Sequence, residues 1–316
     1  MYKSNEPALI SPEALLAINQ MRKKLKHTGW DLRIVDDAVQ ILSCTISPSE
    51  YAASPNVIQS CVEILKGWRY LEYWYFEGAP LSVQIALSVG LQLGILSPPV
   101  EKMGRIEEFK EFFQNQIAFK TAINRSETVG GWLFPGEAEM LWESVRSTAG
   151  SPGSLCEIGS WVGRSTILLA SACVKHTPNK LLHIVDDWNF GGQPDLYPYL
   201  NANRQLKLEF EKNLKPWQGN IIIHHGEFKN VHAGLMQACP NGLDLVFHDA
   251  GHTPKDFERD LPLIAQLINS GGMLIIHDYV SQHFAESRHT IDEWLRSNPN
   301  FTLNNCVGSC ALIEKK

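Results

Sequence analysis

The stretch Cys156-Glu157-Ile158-Gly159-Ser160-Trp161-Val162-Gly163-Arg164-Ser165-Thr166, running straight into the apolar, small-residue segment Ile167 to Val174, constrains the fold more than any other part of the chain. An apolar approach through Leu155, an acidic residue, two glycines four apart and a periodic helical run read as strand, tight turn and helix. That is the opening of a nucleotide-binding α/β unit. Glycine suits such a turn because a missing Cβ permits positive φ and close approach of backbone to a ligand. The spacing is not the G-x-G-x-x-G of a dinucleotide site, and no Lys follows the last glycine as in a phosphate loop. A cofactor is expected at this turn, and a structural glycine turn is the plain alternative.

The rest of the chain supports an α/β reading. Strand-like runs at Ser154 to Ile158, Leu181 to Val185, Asn220 to His224, Leu243 to Phe247 and Met273 to Ile276 alternate with helical or loop-rich spacers. This is the rhythm of a parallel sheet covered by helices. A final pair, Phe301 to Cys306 and Ser309 to Glu314, joined across Val307-Gly308, reads as an antiparallel hairpin. Residues 1–125 read as a mainly helical N-terminal region, with Pro12 at a first turn and further helices over Asp36 to Leu42, Asn56 to Trp74, Leu81 to Leu93 and Ile106 to Ile123. Its aromatic run Trp68 to Phe76 is ordinary core on the plain reading, and a substrate wall or oligomer contact on the alternative. Gly130-Gly131-Trp132-Leu133-Phe134-Pro135-Gly136-Glu137 is a loop entering a helix that runs to about Val145. Two domains are therefore expected, 1–125 and 126–316.

Composition narrows the class. A net charge of −6 over 316 residues argues against a general nucleic-acid or anionic-membrane binder, so the expected partner is a small molecule. The most apolar stretch, Leu81 to Leu96, is short and interrupted by Ser, Gln and Gly, so neither a signal peptide nor a spanning helix is expected, and the expected location is the cytoplasm. Seven cysteines without a C-x-x-C pair suggest reduced thiols.

Chemistry concentrates at the predicted strand ends. Asp186, closing the second strand in Val185-Asp186-Asp187-Trp188, is placed to accept hydrogen bonds from both hydroxyls of a ribose; a turn or capping role is the alternative. Glu227 and Phe228, after the third strand, are weaker candidates for a ligand contact, with an ordinary surface loop as the alternative. The most informative segments are Leu243-Asp244-Leu245-Val246-Phe247-His248-Asp249-Ala250-Gly251-His252 and Gly271-Gly272-Met273-Leu274-Ile275-Ile276-His277-Asp278-Tyr279. Each delivers an Asp and a His to the sheet edge where open α/β sheets bind ligands. Asp249, His252, His277 and Asp278 together look like an acid, base and metal constellation.

The motifs E-I-G-S-W-x-G-R-S-T, G-W-L, D-L-V-F-x-D-x-x-H and G-G-x-x-I-x-H-D-Y resemble those of class I S-adenosylmethionine-dependent methyltransferases. Within that class they resemble the small-molecule O-methyltransferases related to the macrolide-sugar enzymes and to cephalosporin hydroxylase. The resemblance spans Gly131 to about Glu314 and implies a Rossmann-like, doubly wound, mostly parallel sheet with a C-terminal antiparallel hairpin. It implies S-adenosylmethionine held by Glu157, Gly159, Ser160, Gly163, Ser165, Asp186, Trp188, Glu227 and Asp249, with Asp249 and His252 as catalytic residues and His252 as general base. It also implies a divalent ion on Asp249 and Asp278, and His277, beside Asp278, is a further candidate ligand. One departure bears on the metal: the metal-dependent relatives carry Glu-Asp where this chain carries His277-Asp278. That leaves a poorer Mg²⁺ site, a softer metal or none, and His277 has an alternative role orienting Asp278. Trp132, Trp161 and Trp188 line the pocket or pack in the core. The expected activity is methyl transfer to a hydroxyl of a sugar or specialised metabolite, and a second copy of the chain is the expected macromolecular partner. A hydroxylation-associated protein of the cephalosporin type and a non-catalytic scaffold are the competing readings.

Overall fold

The computed structural model describes residues 115, 118–134, 136–189 and 203–316. The expected helices before residue 115, most of the Ile106 to Ile123 helix and the aromatic run Trp68 to Phe76 lie outside the described residues. Residues 118–126 are helical, and Ala122–Lys316 form one compact unit.

That unit is built on seven strands: β1 (Ser154–Ile158), β2 (Leu182–Asp186), β3 (Ile221–His225), β4 (Leu243–His248), β5 (Ile268–Ile276), β6 (Phe301–Val307) and β7 (Cys310–Lys315). They form one sheet in the order β3-β2-β1-β4-β5-β7-β6. The first five run parallel, while β7 is antiparallel to both β5 and β6. The fold is therefore Rossmann-like and doubly wound, closed by the expected hairpin. Six helices cover or flank the sheet: α1 (Glu137–Ser147), α2 (Arg164–His176), α3 (Asn203–Asn213), α4 (Phe228–Ala238), α5 (Pro254–Leu267) and α6 (Ala285–Ser297).

The central strands are buried on both faces, which is why they read as continuous apolar runs and not as alternations. All six residues of β4 are buried, and so are Ile167 to Ala170, Ala172 and Cys173 of α2, the helix that follows β1. Helix α5 starts on a capping box, with the Thr253 side chain and Asp256 satisfying each other's backbone N–H, and Pro254 in its first turn.

Strand β5 begins at Ile268 and not near Met273 as the sequence suggests. Leu243 pairs with Ile268 and Leu245 with Met273, so Asn269–Gly272 of β5 stands opposite Asp244 alone on β4, at a register shift. Ser270-Gly271-Gly272 therefore marks an irregularity within the strand, where turn-type residues suggest its boundary.

The topology fixes where a ligand can sit. The chain moves outward from β1 to β2 and β3, then returns to the other side of β1 as β4. The crevice at the carboxyl ends of β1 and β4 is the switch point where such sheets take ligands. Backbone hydrogen bonds hold that edge in place: Gly159 N–H donates to Val185 O at 2.9 Å and Asp249 N–H to Ile158 O at 2.8 Å.

Candidate active site

The glycine turn is held open from behind. Gly159 has φ +87°, and a Cβ there would collide with the backbone carbonyl of Asp249. Glu157 stands two residues before this turn, on β1. It is fully buried, and its two carboxylate oxygens accept from Ser165 Oγ and Thr166 Oγ1, both at 2.5 Å. Glu157 and Ser165, both expected at the cofactor, thus fasten the end of β1 to the first turn of α2. Burial lifts the Glu157 carboxyl to about 8, against partial opposition from the two hydroxyls. Because its folded pKa lies above its unfolded value, its contribution to stability is complete below about pH 4.5 and is lost as the pH rises through about 8. We expect Glu157→Gln to remove this loss. In urea denaturation at several pH values, the variant should gain on the wild type between pH 5 and 8.5, and parallel curves would contradict the assignment.

Asp186 sits at the end of β2 facing the loop. Its Oδ2 accepts Ser160 N–H at 2.7 Å, Trp161 N–H at 2.8 Å and Ser160 Oγ at 3.1 Å, and its Oδ1 accepts Trp188 N–H at 2.6 Å. One carboxylate thereby shapes two turns, at each of which a Trp takes a left-handed backbone: Trp161 at φ 46° and Trp188 at φ 47°. Trp188 is buried against Phe210 and His225, and its Nε1 donates to Trp161 O at 2.8 Å. Trp132 of the G-W-L segment stacks on Trp161, ring centroids 5.4 Å apart, and Arg164 ties that segment down by donating to Gly131 O at 2.7 Å. Glu227 is exposed beside the same edge in an ion pair with Lys229, and Phe228 is buried. Losing Asp186 removes several charge-assisted bonds of about 1.5–3 kcal/mol each. Asp186→Ala should weaken S-adenosylhomocysteine binding at least tenfold in calorimetry while the protein remains folded by circular dichroism.

Next to this loop, the ends of β4 and β5 bring Asp249, His252, His277 and Asp278 together. One ligand-type atom from each lies within 4.8 Å of the others. His252 Nε2 is 3.1 Å from Asp278 Oδ2 and 3.6 Å from Asp249 Oδ1. His277 Nδ1 is 3.1 Å from Asp249 Oδ1 and 3.4 Å from Asp278 Oδ2. Asp278 holds a left-handed backbone, φ 60°, two residues beyond Ile276, the last residue of β5. Burial disfavours charge on His252, but Asp249 and Asp278 outweigh it and lift the imidazole to about 9. The same two carboxylates, with Glu137, raise His277 well above the usual range against its burial. Burial would raise the Asp278 carboxyl, yet His252 and His277 hold it well below its ordinary value.

The donor set accommodates a divalent metal. His252 Nε2 and His277 Nδ1 are buried and make no aligned hydrogen bond among the described residues, although carboxylate oxygens lie close by. Two imidazole nitrogens and two carboxylates suit Mn²⁺, Fe²⁺ or another transition ion better than Mg²⁺, which prefers oxygen.

Three further residues belong to the site and were not singled out from the sequence. Phe284 stacks on the His252 ring at 4.7 Å and 24°, while Ser287 Oγ donates to the His252 carbonyl. Glu137, at the start of α1, is fully buried with Oε2 3.4 Å from His277 Nε2.

A protein family described as a methyltransferase domain matches residues 156–279, from the third residue of β1 to the residue after Asp278. Among solved structures, the chain is similar to the O-methyltransferase NovP, at 18% identity over 56% of this chain and 78% of that one, TM-score 0.45. It is similar to the O-methyltransferase TomG from Streptomyces achromogenes in complex with SAM, at 17% identity over 63% of this chain and 89% of that one, TM-score 0.46. It is also similar to an O-methyltransferase from Bacillus cereus, at 15% identity over 63% of this chain and 90% of that one, TM-score 0.45. No curated protein sequence matches the chain. The matched span carries the glycine loop, Asp186 and the whole Asp249–His252–His277–Asp278 cluster, whereas Glu137, Phe284 and Ser309 lie outside it. Among the described residues, no helix is long and apolar enough to cross a membrane.

Proposed function

We propose that the chain is an S-adenosylmethionine-dependent O-methyltransferase acting on a hydroxyl of a small molecule, a sugar or specialised metabolite. The observation that carries this reading is the four-residue cluster of two carboxylates and two imidazoles beside the glycine loop, at the ligand edge of a methyltransferase domain. A loop that merely bound a nucleoside would have no use for a base and paired acids at that point.

S-adenosylmethionine, held at the glycine loop, would supply the methyl group from its sulfonium. The chain's own residues handle the rest of the problem, which is to hold a weakly acidic hydroxyl in place and take its proton. The Gly159–Gly163 turn and Trp188 shape the cofactor's seat, and Asp186 sets the geometry of both turns. His252, fixed by Phe284 on one face and by Asp249 and Asp278 at Nε2, accepts the acceptor's proton. Asp249 and Asp278 stabilise the imidazolium so formed. A divalent ion held by Asp249, His277 and Asp278 would lower the hydroxyl's pKa as a Lewis acid. The two imidazoles also favour a second reading, a hydroxylation-associated iron site. A panel of hydroxylated sugars and phenolic metabolites incubated with methyl-labelled donor separates the two. O-methylated product supports the proposal, and oxygenated product without label supports the alternative.

A further inference from the structure

Glu137 is the one buried acid of the site that the methyl-transfer reading leaves without a role. It opens α1 and is 0% exposed, far from the solvated position usual for a first-turn acid. Its Oε1 accepts Ser309 N–H at 2.6 Å and Ser309 Oγ at 2.8 Å, and its Oε2 accepts Phe134 N–H at 2.6 Å. Oε2 also lies 3.4 Å from His277 Nε2, within ion-pair distance but without an aligned hydrogen bond. The opposite ring nitrogen, Nδ1, is the one turned to Asp249 and Asp278.

The connection runs through the hairpin as well. Ser309 Oγ, while donating to Glu137, accepts the backbone N–H of Asp278 at 3.3 Å, and Ser309 O accepts Val280 N–H at 3.1 Å. The turn between β6 and β7 closes over this carboxylate so tightly that a Cβ on Gly308, φ +59°, would stand 2.5 Å from Glu137 Oε1. One carboxylate therefore reaches both neighbouring residues at the end of β5: His277 through its ring, and Asp278 through Ser309 and the backbone.

We propose that Glu137 is a positioning residue of the cluster: it holds the His277 ring with Nε2 toward itself and Nδ1 toward Asp249 and Asp278, and through Ser309 it fixes the left-handed turn at Asp278. Carboxylate–histidine pairs of this kind set ring orientation and tautomer wherever a histidine must offer one particular nitrogen. The inference rests on the methyl-transfer reading for the purpose of the cluster, but its geometry does not. It also gives the hairpin after β5 a function, since Ser309 lies on the turn that delivers the brace.

The test uses the full chain labelled with ¹⁵N-histidine, as wild type and as Glu137→Gln and Ser309→Ala. In the wild type, His277 should show a slowly exchanging Nε2–H. In Glu137→Gln that proton should exchange rapidly and the His277 ring shifts should move, while those of His183 and His248 stay in place. The dissociation constant for Mn²⁺ should rise ten- to a hundredfold, with S-adenosylhomocysteine affinity within twofold. Ser309→Ala, which keeps the backbone N–H to Glu137, should move the same readouts in the same direction by a smaller amount, and it carries the test if Glu137→Gln does not fold. Unchanged His277 resonances in a folded variant would overturn the proposal, whatever the effect on activity. If the wild type fails to bind S-adenosylhomocysteine, the methyl-transfer reading fails, while the histidine resonances still decide the role of Glu137. If it fails to bind Mn²⁺, those resonances decide alone.

Discussion

Gly159→Ala is expected to abolish S-adenosylhomocysteine binding up to millimolar ligand. A non-glycine residue held at φ +87° costs about 1–2 kcal/mol from its own backbone alone. The larger effect is steric. The added methyl falls on the carbonyl of Asp249, which is backbone belonging to the end of β4 and cannot rotate out of the way as a side chain would. Either the glycine turn retreats from the ligand edge or the end of β4 is displaced, and Asp249 moves with it. The same substitution therefore damages cofactor seat and acid–histidine cluster together, a coupling peculiar to a site built on two adjacent parallel strands. Thermal unfolding should show a folded protein melting several degrees below the wild type. A variant that binds S-adenosylhomocysteine with unchanged affinity would show that the turn does not form the cofactor's seat.

His252→Ala should leave S-adenosylhomocysteine affinity within about twofold but lower the rate of methyl transfer at saturating acceptor by about 10²–10⁴, the usual contribution of a positioned base. The pH profile gives an independent check. With its imidazole lifted to about 9 by Asp249 and Asp278, His252 is mostly charged at neutral pH and only the neutral ring accepts a proton. The rate of the metal-free protein should thus climb with pH and level off near 9. A bound ion facing the same carboxylates competes with that proton, so adding Mn²⁺ should move the rising limb to lower pH. A His252→Ala variant with wild-type turnover and an unchanged profile would remove the base assignment.

The sheet was legible because its central strands are buried on both faces and end in polar residues, so that Ser154, Leu243 and Phe301 could be read as strand starts from the sequence. The clustering of Asp249, His252, His277 and Asp278 was legible for a related reason: parallel strands deliver the residues beyond their carboxyl ends to one edge. The start of β5 was obscured because Gly271 and Gly272 speak of a turn, and only pairing with β4 shows that the strand runs through them. Glu137 was not legible as a site residue at all. A carboxylate opening a helix has an ordinary explanation in the helix dipole, and Ser309, which reveals its other use, lies 172 residues away. Glu157 has a second role that its motif does not reveal: its two oxygens accept from the hydroxyls eight and nine residues ahead on α2.

The most direct test of the cofactor site is calorimetric titration of metal-stripped protein with S-adenosylhomocysteine, repeated after addition of Mn²⁺. A methyltransferase with the geometry described should bind at micromolar concentration, on the order of −8 kcal/mol, with a separate heat for the ion that disappears in Asp249→Asn. Absence of any S-adenosylhomocysteine binding, with or without the ion, would contradict it.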